Sequence, residues 1–301
     1  MKCRRCRQPA VIDIPRHNAG SCAPCFGHHC REQVRRAIDH FDRVQPGERL
    51  LVAVSGGKDS LALWDRPLDL GCAADGLYLG LGIGAHSDRS AAHARAFAER
   101  RQAKLVEVDL PADYGFGIPG AAAATRRVPC SACGPSGRRH FNRAARDGGY
   151  DVVATGHNLD HEAAVLFGNV LRWSTAYLGR QLPVLPATAG LVRKVKPLVR
   201  QGEREMAAYC VLRGIDYVVE ECPDAEGNEH LGYKSALNAV ETGSPGSRAA
   251  SYFGLLERAP AHFTPEAEAE QATLRACPGC GAPTTAATCA FCSLVTKVGH
   301  R

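Results

Sequence analysis

Fourteen cysteines dominate the chemistry open to this chain of 301 residues. Eight of them stand in two four-Cys sets near its ends. Cys3-x2-Cys6 is followed after 15 residues by Cys22-x2-Cys25, and Cys277-x2-Cys280 after eight by Cys289-x2-Cys292. Each Cys-x2-Cys supplies two sulfurs from one tight bend, and two bends close a tetrahedral site for zinc. His17, His28, His29 and Cys30 are spare donors that four cysteines make unnecessary. Unrelated buried thiols are the competing reading; the repeat of the spacing at both ends argues against it. A second kind of chemistry lies in Ser55-Gly56-Gly57-Lys58-Asp59-Ser60. Two glycines let backbone approach an anion, the helix that follows offers free N–H groups, Lys58 adds a mobile charge, and Asp59 can help hold magnesium. It is not a Walker A loop, because the glycine required five positions before Gly57 is Val52.

The elements that must position these residues alternate between strand and helix. Periodicity predicts a helix over 28–44 and strands at 50–54, 75–82, 104–109 and 151–155. Helices are predicted from about 58, over 88–101, around 134–147 and over 158–171, with an irregular Pro/Gly stretch before the third of these. This order implies an α/β fold, a parallel sheet with helices on both faces, whose ligands lie beyond the carboxyl ends of the strands. Glu241 to Ser247 breaks the helical pattern. The expected division is an N-terminal zinc knuckle at 1–30, a core at 31–258, a Pro/Ala/Glu-rich linker at 259–272 and a C-terminal knuckle at 273–301. No apolar run approaches the length of a membrane span, and the start lacks a secretory pattern, so a cytoplasmic location with reduced cysteines is expected.

The hexapeptide at 55–60 resembles the loop of the ATP-pyrophosphatase (PP-loop) superfamily, adenine nucleotide α-hydrolase-like enzymes that cleave ATP between the α and β phosphates and adenylate a substrate. Further segments resemble its tRNA 2-thiolation branch: Asp75 to Ile83, Ser87-Asp88-Arg89-Ser90, Tyr114 to Ile118, Cys130-Ser131-Ala132-Cys133-Gly134, Thr155 to Asp160, Lys196-Pro197-Leu198 and Glu221-Cys222-Pro223. That branch holds TtcA and, with zinc knuckles at both ends, TtuA and the cytosolic wobble-uridine thiolases. The resemblance implies ATP contacts at Ala53, Ser55, Gly56, Gly57, Lys58, Ser60, Leu79 and Gly156, and Lys58, Asp59 and Asp160 at the reaction centre. It also implies that Cys130, Cys133 and Cys222 hold a [4Fe–4S] cluster. Three thiolates leave one iron free to bind the sulfur that displaces an adenylated uracil oxygen. A redox Cys-x2-Cys pair beside a buried Cys222, or a persulfide relay between two cysteines, competes with that reading. Cys30, Cys72 and Cys210 read as ordinary buried thiols.

Charge points to the partner. Ala121 to Arg204 carries 13 Lys/Arg against five Asp/Glu, a local +8 that exceeds the whole-chain +6. Arg126, Arg127, Arg138, Arg139, Arg193, Lys194 and Lys196 are the expected RNA contacts, since clustered cations neutralise phosphates and release counterions. Two positions depart from the branch: Gly137 stands where relatives have lysine, and His161 where they have aspartate. His161 is expected to serve as acid or base with a titration in the neutral range, and Arg138 to replace the lost cation. His157 and His161, four apart on a helix, could alternatively bind a metal. The leading expectation is an ATP-dependent tRNA uridine 2-sulfurtransferase using ATP, Mg2+, one [4Fe–4S] cluster and two zinc ions. By resemblance its sulfur donor is a ubiquitin-like thiocarboxylate carrier, and a homodimer is the expected assembly. A sulfurtransferase acting on a small metabolite and a catalytically silent RNA-binding relative are the alternatives.

Overall fold

The computed structural model describes residues 1–41, 47–188, 190–258, 262–263, 269 and 273–299. The chain opens with a hairpin of β1 (Ile12–Ile14) and β2 (Ala19–Ser21), then α1 (Ala23–Phe41), β3 (Leu50–Val54), α2 (Lys58–Asp69), β4 (Ala74–Gly80), α3 (Gly84–Arg101) and β5 (Leu105–Asp109). Three helices follow, α4 (Leu110–Tyr114), α5 (Ile118–Thr125) and α6 (Cys130–Asp147), before β6 (Val152–Thr155), α7 (Leu159–Leu171) and α8 (Thr175–Gly179). The rest comprises β7 (Val184–Leu185), β8 (Arg193–Val195), α9 (Glu203–Arg213), α10 (Glu229–Gly243), α11 (Ser247–Arg258), the short β9 (Arg275–Ala276) and β10 (Pro283–Thr284), and α12 (Ala290–Gly299).

The central sheet has the order β5-β4-β3-β6-β8-β7, parallel except for β7. The order reverses between β3 and β6, so the crevice beyond their carboxyl ends is where such a sheet accepts ligands. Apolar residues on both sides of the strands explain the two-faced burial. Val52, Val54, Val152 and Ala154 pack with Phe26 and Val34 of α1, Leu61 and Trp64 of α2 and Met206 of α9. Leu51, Leu77 and Val153 pack on the opposite side with Phe141 and Ala145 of α6. α6 leads back to the start of β6, so it runs against the strands and its first residue, Cys130, lies toward their carboxyl ends.

Four expectations are corrected. Helix α1 starts at Ala23, five residues before the predicted start, so the expected boundary at 30/31 falls inside it; Phe26, Cys30 and Val34 bind knuckle and core into one helix. Helix α6 begins at Cys130, ahead of Gly134-Pro135. Pro135 cannot donate to the preceding turn, but burial of Ala132, Ser136 and His140 outweighs that loss, and Ser136 Oγ donates to the Ala132 carbonyl at 2.8 Å. β8 was not anticipated, because three residues containing Arg193 and Lys194 carry no strand signature. Cys72 is only half-buried, while Cys30 and Cys210 are fully buried. The break at 241–247 separates α10 from α11. Most of the predicted linker lies outside the described residues; its Phe263 packs on the cluster of Leu159, Leu166 and Tyr252. No helix among the described residues is long and apolar enough to cross a membrane.

Candidate active site at the carboxyl ends of the sheet

The loop after β3 is held open by its own side chains. Ser60 Oγ accepts from the Ser55 N–H at 3.0 Å and donates to the Gly57 carbonyl at 3.0 Å, folding the turn back on α2. Gly56 has φ +74°, and a Cβ there would lie 2.4 Å from the Ser90 carbonyl, so only glycine fits. A Cβ on Gly156 would lie 3.1 Å from the backbone of Asp59 and Ser60, which is how closely the β6–α7 loop approaches. Gly57 caps α2 without a side-chain acceptor, leaving its first N–H groups for an anion. Ala53 and Leu79 lie one residue before the carboxyl ends of β3 and β4.

Lys58 Nζ lies 3.3 Å from Asp59 Oδ2, and Asn158 Nδ2 donates to Asp59 Oδ1 at 3.0 Å. Burial works against the Lys58 charge, but the carboxylates of Asp59 and Glu203 outweigh it, and its pKa lies above the usual lysine value. Asp59 is raised, chiefly by burial, with Lys58 partly opposing the rise. Asn158 also accepts from the His161 N–H at 2.9 Å, so one amide joins the loop to the start of α7. Sequence reasoning did not single out Asn158, although it stands in the Thr155-to-Asp160 segment. Cys210 Sγ, 3.4 Å from the Lys58 carbonyl, and the Val218 N–H, donating to the Gly56 carbonyl at 3.0 Å, support the loop from below.

The two expected reaction-centre residues on α7 are placed differently from expectation. Asp160 Oδ2 accepts from the Glu203 N–H at 2.9 Å and Oδ1 pairs with Arg248, so both oxygens cap and clamp α9 and α11. His161 is pushed down to about 4 by burial, with Lys234 adding to the shift, and is neutral at pH 7; the neutral-range titration is not there. Its ring stacks on His157 at 4.5 Å with an interplanar angle of 1°. One atom each of His157, His161 and Glu162 lie within 4.8 Å of one another. Parallel rings do not aim their lone pairs at one point, and Lys196 already holds Glu162 at 2.8 Å, so this group is a poor cation site.

Each terminal set suits a single ion. The sulfurs of Cys3, Cys6, Cys22 and Cys25, and those of Cys277, Cys280, Cys289 and Cys292, lie within 4.8 Å of one another. Cys6 and Cys22 are 3.4 Å apart and Cys280 and Cys289 3.6 Å. Tetrahedral Zn–S bonds place sulfurs about 3.8 Å apart. Backbone N–H groups, chiefly of Cys22 and of Cys289, draw Cys3 and Cys277 down to about 6, while the Cys22 thiol beside it pushes Cys25 up to about 12. Cys130, Cys133 and Cys222 lie near enough to one another for each neighbouring thiolate to oppose ionisation of the next. Cys130 begins α6, Cys133 lies one turn on, and Cys222 caps the turn Pro223–Ala225. Burial, then the neighbouring Cys130 and Cys222, push Cys133 up to about 11, so its thiolate waits on a cation. Cys133 and Cys222 border the same apolar cluster as Cys280 and Cys292.

The basic residues divide. Arg126, Arg127 and Arg138 are exposed. Arg139 faces the Cys280 sulfur, Arg193 pairs with Glu48, and Lys196 with Glu162, so these cations are engaged within the fold. Lys194 is half-buried beside them, lowered to about 8 by burial and then by Lys196.

Residues 2–26 match the family described as the N-terminal LIM domain of the 2-thiouridine synthetase TtuA. The tRNA-5-methyluridine(54) 2-sulfurtransferase of Thermus thermophilus is 47% identical, over 100% of this chain and 93% of the relative. This chain belongs to the tRNA-5-methyluridine(54) 2-sulfurtransferase family. A member from Thermotoga maritima is 37% identical over 100% of this chain and 98% of its own length. The U34-tRNA thiolase NcsA of Methanococcus maripaludis, solved with its [4Fe–4S] cluster, shares the fold with a TM-score of 0.80, 23% identity and coverage of 98% and 96%. These comparisons do not favour the metabolite-modifying or silent alternatives.

Proposed function

We propose that this family member is an ATP-dependent transferase that replaces the C2 oxygen of a tRNA uridine with sulfur, with 5-methyluridine 54 as the target. The observation that carries the reading is one of placement: an anion loop and three clustered cysteines lie at the same end of the sheet. ATP and Mg2+ take the loop. Lys58 and the first N–H groups of α2 would take the phosphates, Asn158 fixes the Asp59 carboxylate that would hold the metal, and backbone at Ala53, Leu79 and Gly156 would complete the nucleotide contacts. Ser55, Gly56, Gly57 and Ser60 hold the turn in shape.

Cys130, Cys133 and Cys222 hold the [4Fe–4S] cluster, which when bound supplies an iron for sulfur. The terminal cysteines hold two zinc ions. Arg126, Arg127 and Arg138 hold RNA phosphates, while Lys194 and Arg138 bring positive charge to the face where Gly137 has no side chain. Asp160 positions α9, and neutral His161 stacks on His157. A cytoplasmic setting, a ubiquitin-like thiocarboxylate donor and a homodimer complete the proposal. The test couples AMP release in the presence of tRNA to mass spectrometry of its nucleosides. Lys58→Ala is expected to cut both about 10²- to 10³-fold, as loss of a preorganised charge does. AMP release without any thiolated nucleoside would sink the substrate assignment.

A further inference from the structure

A closed circuit of contacts leaves α2 and returns to it. Arg66 of α2 is fully buried, and its Nη1 donates to Oε1 of Gln201, which is also fully buried. Its Nη2 meets Met206 Sδ at 3.5 Å, and the guanidinium lies 4.4 Å from the centre of the Tyr209 ring. Among the described residues Arg66 pairs with no carboxylate, so a full charge is kept out of water beside a neutral amide. The Gln201 carbonyl accepts from the Leu159 N–H at 2.9 Å, and the Gln201 N–H donates to the Leu198 carbonyl at 2.9 Å. Leu159 is the first residue of α7, and its N–H has no acceptor within the helix. Asn158, the residue before it, holds Asp59 Oδ1 at 3.0 Å. Asp59 lies on α2 again, two turns before Arg66. The circuit thus sets how far the start of α7 stands from α2. It has little slack, since a Cβ on Gly156 would already press on the backbone of Asp59 and Ser60.

We propose that Gln201, oriented by Arg66, is a positioning residue for the divalent cation that accompanies the nucleotide. Gln201 sets the start of α7 and with it Asn158, and Asn158 sets the Asp59 carboxylate. The inference rests on the nucleotide reading of the anion loop and gives a task to two buried side chains outside that loop. Neither of them touches the cation; both act through the backbone of α7. Breaking the circuit lets the Asp59 carboxylate turn away from the cation. The loss falls on the metal–nucleotide pair, and RNA binding is spared.

The test titrates Mn2+ into the full chain with a non-hydrolysable ATP analogue and reads free Mn2+ by EPR. Gln201→Met keeps the volume and removes the acceptor, and it should weaken Mn2+ binding about 10- to 100-fold, the scale of an ångström-sized misplacement. Gln201→Glu still accepts from Arg66 and should bind Mn2+ nearly as the wild type does. In AMP release with tRNA, Gln201→Met should raise the half-saturating Mg2+ and leave kcat at saturating Mg2+ little changed. A purely structural role would instead lower kcat with the folded fraction and leave the half-saturation where it was. In an Asn158→Ala background Gln201→Met should have no further effect on Mn2+, because the path runs through Asn158. Equal losses in both backgrounds overturn the proposal, as does wild-type Mn2+ binding by folded Gln201→Met. Should Gln201→Met not fold, Arg66→Lys takes its place, since it keeps the charge and loses the planar fork. Unchanged Mn2+ binding in that variant overturns the proposal too. A wild-type chain that binds no Mn2+ with the analogue overturns the nucleotide reading instead, and the positioning role with it.

Discussion

The N-terminal four-Cys set sits behind the anion loop, whereas the C-terminal set lies inside the apolar cluster that borders the three-Cys site. On the N-terminal side, Ile12, Ile14 and Phe26 enter the main core, and Arg16 and His29 meet Glu205 at the start of α9. Arg16 also donates to the Arg200 carbonyl at 3.0 Å. On the C-terminal side, Phe291 of α12 packs edge-on against Tyr114 at 4.9 Å and His140 at 4.8 Å, while Cys277 and Cys289 join Ile83, Leu110 and Ala132 in one cluster. The sulfur geometry is nearly the same, and the attachments differ. One module braces the helix behind the anion loop; the other forms a wall of the thiol site.

Removing one ligand from each module should give the largest contrast. Cys277→Ala should lose its zinc and, with the wall loosened, the iron as well. Cys3→Ala should lose one zinc and keep the iron. Structural zinc contributes on the order of 10 kcal/mol to a small module, so neither knuckle should close without it. Metal analysis of anaerobically purified variants decides, and retention of iron in Cys277→Ala would break the comparison.

Arg16→Ala should have a smaller effect, confined to the N-terminal side. Removing one partner of a buried pair costs about 3 kcal/mol, because Glu205 keeps its charge in a dry place. Burial alone would raise Glu205, but His29 and Arg16 outweigh it and hold its pKa below the usual carboxylate range. A depressed carboxyl stabilises the fold above its unfolded pKa and loses that contribution as pH falls through the folded value. Denaturant unfolding of the intact chain should therefore weaken below about pH 4.5, the ordinary carboxyl range. Arg16→Ala should flatten that slope; an unchanged slope would assign it to other carboxyls.

The smallest effect should come from His161→Ala. With its pKa near 4, the ring has no proton to lose between pH 6 and 8. The pH profile of AMP formation should keep its shape across the neutral range in the variant, with only its height altered. A neutral-range limb that disappears with the ring would restore an acid–base role.

Local spacing made the two four-Cys sets legible, because both sulfurs of each pair come from one turn and need no knowledge of the fold. The strands at 50–54 and 151–155 were legible for a similar reason: each is a short apolar run beside a glycine-containing turn. Partnerships across long separations were not. Asp59 and Asn158 are 99 positions apart, and nothing in either segment announces the other. The basic stretch misled for the same cause. Arg193 and Lys196 look like phosphate contacts until Glu48 and Glu162 are brought to them by the sheet. Pro135 misled because local propensity places a boundary that burial of α6 overrides.

The tie between Val218 and Gly56 acts as a ruler. Val218 is fastened to the backbone of the anion loop, and Cys222 follows four residues later. Four residues, fully stretched, reach at most about 14 Å. That leash caps the distance between the anion-loop backbone and one corner of the thiol site, whatever else moves. An insertion between Val219 and Glu221 would lengthen the leash without touching a single group in either site.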